Sequence, residues 1–398
     1  MNFIFISPNF PETYWHFCRG LKNNKITVLG IGDSKYEDLL DELKDSLTEY
    51  YKVSTLENYE EVKKGCEYFQ KKYGKIDWLE SNNEYWLLQD AALRTDFNIE
   101  SGLHNDNVSG IKYKSAMKAY YEKAGIKMAR YHLIEDYNNS IEFISKVGYP
   151  VIVKPDNGVG ASNTYKLSNK EEFDYFFETK ESIQYIMEEF IQGDLLSYDG
   201  ISGKNKEIIF ETAHGYPIPV MELVNEQKDV VYYSYRVIPE DLKEAGRKVI
   251  ETFETNGRFF HCEFFRMTVD KEGLGKKGDI IGLEVNMRAP GGYTPDMMNF
   301  ANDIDVFQIW ANMIAYNKGN YSTNRPYYCV SAARRDGKTY IHSEKDTIEK
   351  YKDSIVMKGR MPEALSVAMG NDMIIARFKD FTKVEEFIDF YLSKNIKN

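Results

Sequence analysis

The feature that most limits what this chain can fold into is the run Ile280-Ile281-Gly282-Leu283-Glu284-Val285-Asn286-Met287-Arg288-Ala289-Pro290-Gly291-Gly292. Its apolar, β-branched start and its Gly-Pro end read as a strand that stops abruptly in a turn. Strand side chains alternate between faces, so Glu284, Asn286 and Arg288 share one face and Val285 and Met287 the other. One face joins a core; the other lines up a carboxylate, an amide and a guanidinium. Magnesium takes hard oxygen ligands, usually one or two carboxylates with substrate phosphates. A guanidinium fork grips a phosphoryl group or a carboxylate. The plain alternative for this pattern is a solvated sheet face carrying an incidental salt bridge.

A second segment bears on that choice. Arg258 to Arg266 reads as a strand in which His261, Glu263 and Phe265 share a face and Cys262 points away. A Gly/Lys-rich stretch, 271–278, then makes a hairpin into Asp279-Ile280-Ile281, which sets Glu263 opposite Glu284. Two facing carboxylates repel unless a cation lies between them. His261 and Cys262, adjacent on a strand, cannot share one zinc without distortion, so His261 is expected at the edge of a core.

The rest of the chain reads as alternating strands and helices. At 398 residues it is long enough for two or three domains. Residues 2–6, 26–32 and 76–81 read as strands, with helices from Glu12 to Lys22, Glu57 to Tyr73 and Asn83 to Thr95, a parallel α/β unit ending near residue 108. Gly30-Ile31-Gly32 reads as a strand-end turn; the third glycine of a dinucleotide fingerprint is missing, because Lys35 holds its place. From Asn107 to Gly125 the pattern predicts one helix, started at Ser109 and carrying Lys112, Lys114, Met117, Lys118 and Tyr121. A β-branched strand, Val151-Ile152-Val153, then delivers Lys154 to a loop of small residues that includes Gly158, Gly160 and Ser162. Small residues let backbone N–H groups surround phosphate oxygens, and the lysine at the base adds a positive charge. That loop reads as a phosphate cradle, with a hairpin tip as the alternative; it is not a Walker A loop, because no Gly-Lys-Ser/Thr follows. Ile183 to Gly193 is a strand ending in Glu188 and Glu189, either a hinge whose backbone reads a purine edge or a simple connector. Antiparallel strands are expected at Leu195 to Gly200, Glu207 to Ala213 and Val230 to Val237, and helices at Pro239 to Thr255 and Met297 to Tyr316. From Tyr327 on, two strands and two helices read as a final small α/β lobe.

Composition excludes several classes. Hydrophobic residues at 42% and aromatics at 14% support real cores rather than disorder. A net charge of −11 argues against nucleic acid, whose phosphates require basic surface. No apolar run is long enough to cross a bilayer. Met1 to Ile6 reads as a first strand rather than a leader. Cys18, Cys66, Cys262 and Cys329 are scattered without zinc or disulfide spacing, which fits a reducing, cytoplasmic setting.

Taken together, Lys114, V-I-V-K-P-D-N-G-V-G-A-S, M-E-E-F-I-Q-G, E-F-F at Glu263 and E-V-N-M-R resemble, in order and spacing over about residues 108–316, the ATP-grasp superfamily; E-V-N-x-R-x-P-G-G-Y-x-P-D is similar to its carboxylate–amine ligase branch. The resemblance implies an α/β fold with α+β lobes: a parallel α/β pre-ATP-grasp domain (1–108), a subdomain with the glycine-rich flap (109–190), a subdomain with the metal and substrate site (191–320) and a C-terminal α/β lobe (321–398). It implies ATP with Mg2+, or Mn2+ in its place. Lys114 and Lys154 would hold the nucleotide phosphates under the Gly158–Ser162 flap, and Glu188, Glu189 and Ile191 would line the adenine site. Glu263, Glu284 and Asn286 would bind metal, and Arg288 would stabilise the transferring phosphoryl group. Arg288, Gly291, Gly292 and Tyr293 would border the acceptor pocket, with His214, Tyr235 and Arg236 as further candidates. Relatives carry a ribose-binding acid where this chain has Leu195, leaving Asp194 or Asp199 to take that part. The implied activity is ligation of a small carboxylate to an amine, an amino acid or similar, through an acyl phosphate, without nucleic-acid or membrane partners and with a homodimer admitted. The alternative is an inactive ATP-grasp protein that binds nucleotide to regulate.

Overall fold

The computed structural model describes residues 1–158, 163–217, 228–253, 255–319, 321 and 324–394. Three sheets organise it. The first is parallel, with order β3-β2-β1-β4, from β1 (Asn2–Ile6), β2 (Thr27–Gly32), β3 (Glu49–Lys52) and β4 (Trp78–Glu80). Its strands are apolar on both faces because both are covered. Ile4, Ile6, Leu29 and Ile31 pack on Val62, Cys66 and Phe69 of the helix Tyr59–Tyr73. Phe3, Phe5 and Val28 pack on Phe17 and on Phe307 and Trp310 of the helix Val306–Tyr316, so a helix from the last third of the chain closes over its beginning.

The second sheet, order β5-β8-β6-β7, is antiparallel and is formed by β5 (Tyr131–Leu133), β6 (Val151–Pro155), β7 (Tyr165–Leu167) and β8 (Tyr185–Glu189). Val151, Val153, Tyr185 and Met187 face the helices Tyr137–Val147 and Lys170–Thr179. Alternation therefore turns Ile152, Lys154 and Glu188 to the opposite side. The glycine-loop positions Gly160 and Ser162 lie outside the described residues.

The third sheet has eight strands in the order β13-β12-β9-β10-β11-β14-β16-β15: β9 (Gly193–Ser202), β10 (Ile208–Tyr216), β11 (Val230–Ser234), β12 (Arg258–Met267), β13 (Ile280–Asn286), β14 (Tyr328–Arg334), β15 (Ile355–Arg360) and β16 (Asp372–Phe378). The expected β12–β13 hairpin sets Glu263 directly opposite Glu284, and a bulge after that pair leaves Leu283 unmatched. The strands beyond residue 321 extend this same sheet, because β14 finds its partner in β11. β15 was not expected; its Met-Lys-Gly-Arg end alternates weakly, and it pairs only as an edge strand on β16.

Two departures concern helices. The helix expected from 107 to 125 is two, Ser109–Lys112 and Lys114–Lys123, with Tyr113 extended between them. The second piece is started by a distant residue: the Asp156 carboxylate accepts from Ser115 N and Oγ, both at 2.7 Å, and its carbonyl accepts from Lys114 N. This is the N-capping interaction supplied from the turn after β6. The helix expected from Met297 to Tyr316 is likewise split at Asp303, which is left-handed with φ 51°.

Where the first sheet meets the third, the buried Glu80 carboxylate takes Arg94 at 2.9 Å and Arg258 at 3.0 Å. Arg94 also donates to the Leu79 and Leu103 carbonyls and Arg258 to that of Met287, so the two guanidinium groups bind the N-terminal domain to the strand that carries the acidic face. The helix Lys114–Lys123 is seated on that strand by close contact. A Cβ on Gly282 would stand 2.5 Å from the ring of the fully buried Tyr121. Only glycine permits this approach, which sets the lysines of the helix against Glu284. Gly282→Val is expected to lower unfolding free energy by about 1–3 kcal/mol, the range for overpacking, and to weaken nucleotide binding. Denaturant unfolding together with ADP titration of the variant checks both.

Candidate active site

A cleft of about 300 Å3 opens between the second and third sheets. From the second sheet and the segment after it come Ile152, Lys154, Glu188, Glu189, Phe190 and Ile191; from the third come Leu195, His261, Glu263, Phe265, Leu283, Glu284 and Asn286; Arg288, Lys114 and Glu84 close one end. The expected face of the 280–288 strand is present as read: Glu284, Asn286 and Arg288 line the cleft, while Val285 and Met287 join the core beneath.

Charge is the dominant property of this wall. Lys154 reaches Glu188 at 2.7 Å, and Glu188 also pairs with the buried Lys118. Lys114 donates to the Gly158 carbonyl at 3.0 Å and lies 3.5 Å from Glu284. Arg288 is held by Glu84, 2.7 Å from Nη2 and 3.3 Å from Nε. Burial raises the Glu284 carboxyl above its usual range; Lys114 pulls it down, while Glu84 and Glu263 push it further up. The acidic end of the cleft therefore holds more negative charge than its lysine neutralises. Glu263, Glu284 and Asn286 offer only oxygen donors from the side chains a cation would meet, the chemistry that suits a hard divalent ion. Among the described residues no three His, Cys, Asp or Glu side chains form a metal-holding group on their own.

Beneath this end lies a buried polar layer. Asp199 accepts from His261 Nδ1 at 2.5 Å, His214 Nδ1 at 2.7 Å and Ser197 Oγ at 2.5 Å. Burial works against a charged His261, but Asp199 outweighs it and lifts the imidazole to about 9. His261 Nε2 stands 3.5 Å from Glu263. The expectation of a core-edge histidine is thus corrected: His261 is buried, yet it forms the cleft wall beside Glu263, because it sits two residues away on the same strand face.

Several expected positions fall elsewhere. Glu188 and Glu189 alternate on β8, so only one carboxylate enters the cleft. That of Glu189 turns to Arg130 at 2.7 Å and Lys271 at 3.2 Å, leaving its backbone on the wall. Glu188 lines the same cleft as Ile191, with its carboxylate clasped by Lys118 and Lys154. Asp194 is exposed and points away, since its neighbours Gly193 and Leu195 take the cleft side; Asp199 is consumed by its two histidines. Neither provides an open ribose acid. Gly291 and Gly292 form the turn into the helix Thr294–Asn302, with the Gly291 carbonyl accepting from Thr294 and Gly292 at φ +61° beside Met369; they do not line the described cleft wall. Arg236 is spent on the carbonyls of Arg325 and Lys379, and Tyr235 packs among core residues. Sequence reasoning passed over Glu84, Lys118 and Asp156 as site residues. Lys118, four residues after Lys114, lay on a legible helix face; Glu84 and Asp156 act over separations of 204 and 41 residues and left no local signal.

Comparison with known proteins agrees with this geometry. Residues 115–258 match the family model described as an ATP-grasp domain. That stretch of the chain is an ATP-grasp domain. The L-arginine-specific L-amino acid ligase of Bacillus subtilis is 24% identical over 274 residues, which span 64% of this chain and 61% of that protein. The ATP-grasp fold is shared with the L-amino acid ligase of Bacillus licheniformis (TM-score 0.70, 15% identity, 97% of this chain and 95% of that one). It is shared equally with the N5-carboxyaminoimidazole synthetase of Staphylococcus aureus (TM-score 0.70, 14% identity, 98% and 97%). No helix of the described residues is long and apolar enough to cross a membrane.

The ATP-grasp lysine cluster has a testable acid response. Burial opposes ionisation of Glu188, but Lys118 and Lys154 prevail and hold its carboxyl at about 2. Because the folded value lies below the unfolded one, of about 4.3, the stabilisation is full above that unfolded value and is lost as pH falls toward 2. Unfolding free energies measured across pH 2 to 7 should show Glu188→Gln less stable than the parent near neutrality, with the difference shrinking as the pH drops.

Proposed function

We propose that the chain is an ATP-dependent carboxylate–amine ligase. The observation that carries this reading is the convergence, in one cleft, of Glu263 opposite Glu284 with Asn286, the two lysines Lys114 and Lys154, and Arg288. Two facing, partly buried carboxylates are costly without a cation, and two lysines beside them suit a phosphate chain. The ligases named above lend support, though each is similar to this chain only at low identity.

In this reading Ile191 and the backbone of Glu189 and Phe190 border the base, and Lys114 and Lys154 neutralise the phosphates. The loop that starts at Gly158, with Gly160 and Ser162 further on, covers them. Glu263, Glu284 and Asn286 would hold magnesium, with manganese able to replace it; when bound, the cation supplies charge neutralisation on the phosphates. A carboxylate oxygen of the first substrate attacks the γ-phosphorus, the bond to the bridging oxygen breaks and ADP leaves. The amine nitrogen then attacks the acyl carbon, the C–O bond to phosphate breaks, and the amine's proton is lost. Arg288 steadies the oxygens that gain charge in both steps. Lys154 becomes available to phosphate by sharing Glu188 with Lys118, which keeps Glu188 compensated when Lys154 turns to the nucleotide. A purely regulatory nucleotide binder would have no use for Arg288 and its charge partners at the far end of the cleft.

Release of ADP and phosphate that requires both a carboxylate and an amine is the expected result of a substrate screen; AMP as product, or ADP release indifferent to the amine, rejects the reading. Glu284→Ala is expected to lower turnover at least about a hundredfold, the scale for losing one preorganised electrostatic partner. Steady-state ADP release at saturating magnesium checks it, and a near-normal rate would remove Glu284 from the site.

A further inference from the structure

We propose that Glu84 of the N-terminal domain is the seat for the α-ammonium of the substrate whose carboxylate Arg288 receives, so that the site selects a zwitterionic α-amino acid as the acyl donor. The inference rests on the ligase reading above and goes beyond it in assigning Glu84 and the charge pattern of the donor substrate.

The argument begins from an ion pair inside a cleft. Glu84 lies in the segment between β4 and the helix Leu87–Asp96, yet its carboxylate is buried and points across the domain junction to Arg288, 2.7 Å away. Both residues line the cleft. Of the four carboxylates there, Glu188 is taken by two lysines, while Glu263 and Glu284 face each other across the strand pair. Glu84 is the one that stands apart from that pair and beside the guanidinium. Glu284 is near enough to feel it, but cations dominate its surroundings: burial opposes its ionisation, and Arg288, Lys112 and Lys114 keep the carboxyl below its usual range. Lys112, buried beside it, spends one donor on the Glu84 carbonyl at 3.5 Å.

Such a pair does more than anchor a side chain. A buried charge without a partner is expensive, so a site for a charged ligand needs an internal partner while it is empty. Glu84 and Arg288 fill that need for each other. A zwitterion entering between them replaces one ion pair by two: its carboxylate takes the guanidinium fork and its ammonium takes the Glu84 carboxylate. A plain carboxylate would also take Arg288, but it would leave the buried Glu84 without its hydrogen-bonded partner and with only Lys112 and Lys114 to offset its charge. The same arrangement therefore favours one class and penalises the other, which is how specificity arises from unpaired groups.

The experiment compares the parent with Glu84→Gln and Glu84→Asp, using L-alanine and propionate as acyl donors, hydroxylamine as a small common acceptor, and ADP release as the signal. Further L-amino acids, each with its des-amino acid, extend the pair if alanine is too small. Glu84→Gln is expected to raise KM for the amino acid by about tenfold to a hundredfold, the range for losing a charged hydrogen-bond partner. It should leave KM for the des-amino acid within about threefold and the affinity for ADP unchanged; Glu84→Asp should recover part of the loss. An equal loss on both donors, carried by kcat, would mean that Glu84 only holds Arg288 in place and would overturn the proposal. Calorimetric titration of the same acids into the ADP- and magnesium-loaded protein gives a second readout that needs no turnover. If no pair of substrates supports ADP release, the ligase reading falls, and this titration still decides whether Glu84 recognises an ammonium group. A parent that binds the amino acid and its des-amino analogue alike would refute it.

Discussion

The structure depends on opposite charges neutralising each other along one partly enclosed cleft. Glu84, Glu188, Glu263 and Glu284 stand there with Arg288, Lys154, Lys118 and Lys114. At short range and in low dielectric each of these charges would be untenable alone. The balance is uneven along the cleft. At one end Glu188 serves two lysines and sits low in pKa; at the other Glu284 is pushed up by burial and by two acidic neighbours. Cationic excess at one end and anionic excess at the other is a polarity that fits a phosphate chain carrying a divalent cation.

That balance needs scaffolding from every part of the molecule. The second sheet brings Lys154 and Glu188 together by parity on paired strands, Ile152 opposite Glu188 in register. The third sheet brings Glu263 and Glu284 into one pair. The lysine helix is held at its start by Asp156 and on its flank by Tyr121 against Gly282. The N-terminal domain adds Glu84 and, through Glu80, Arg94 and Arg258, locks itself to the strand that bears Arg288. The Asp199 layer under His261 gives the acidic pair a rigid floor, since a carboxylate that holds two imidazoles and a hydroxyl has little freedom left.

A good part of this was legible in the residues. Strand parity alone placed Glu284, Asn286 and Arg288 on one face, and the Gly/Lys-rich turn placed Glu263 across from Glu284; both rest on a period of two and a short connection. The β-branched run before Lys154 and the small residues after it were equally local. The same parity explains why Glu188 and Glu189 diverge and why Asp194 turns from Leu195, but it was not applied to them, because the likeness to relatives drew all of them toward one site. Legibility failed where a helix was interrupted from outside. Nothing between 107 and 125 announces the break at Tyr113, because its cause is Asp156 in the turn after β6.

The sequence by itself determined the alternation of each strand, the hairpin that opposes two acids, and the order of motifs that marks the superfamily, because these follow from backbone geometry over a few residues. Only the tertiary structure decided that Glu84 meets Arg288, that Lys118 shares Glu188 with Lys154, and that Asp199 gathers two histidines from separate strands. Such pairings are set by how whole sheets and helices pack, and burial then gives them their strength; neither the packing nor the burial is written in the spacing of neighbours along the chain.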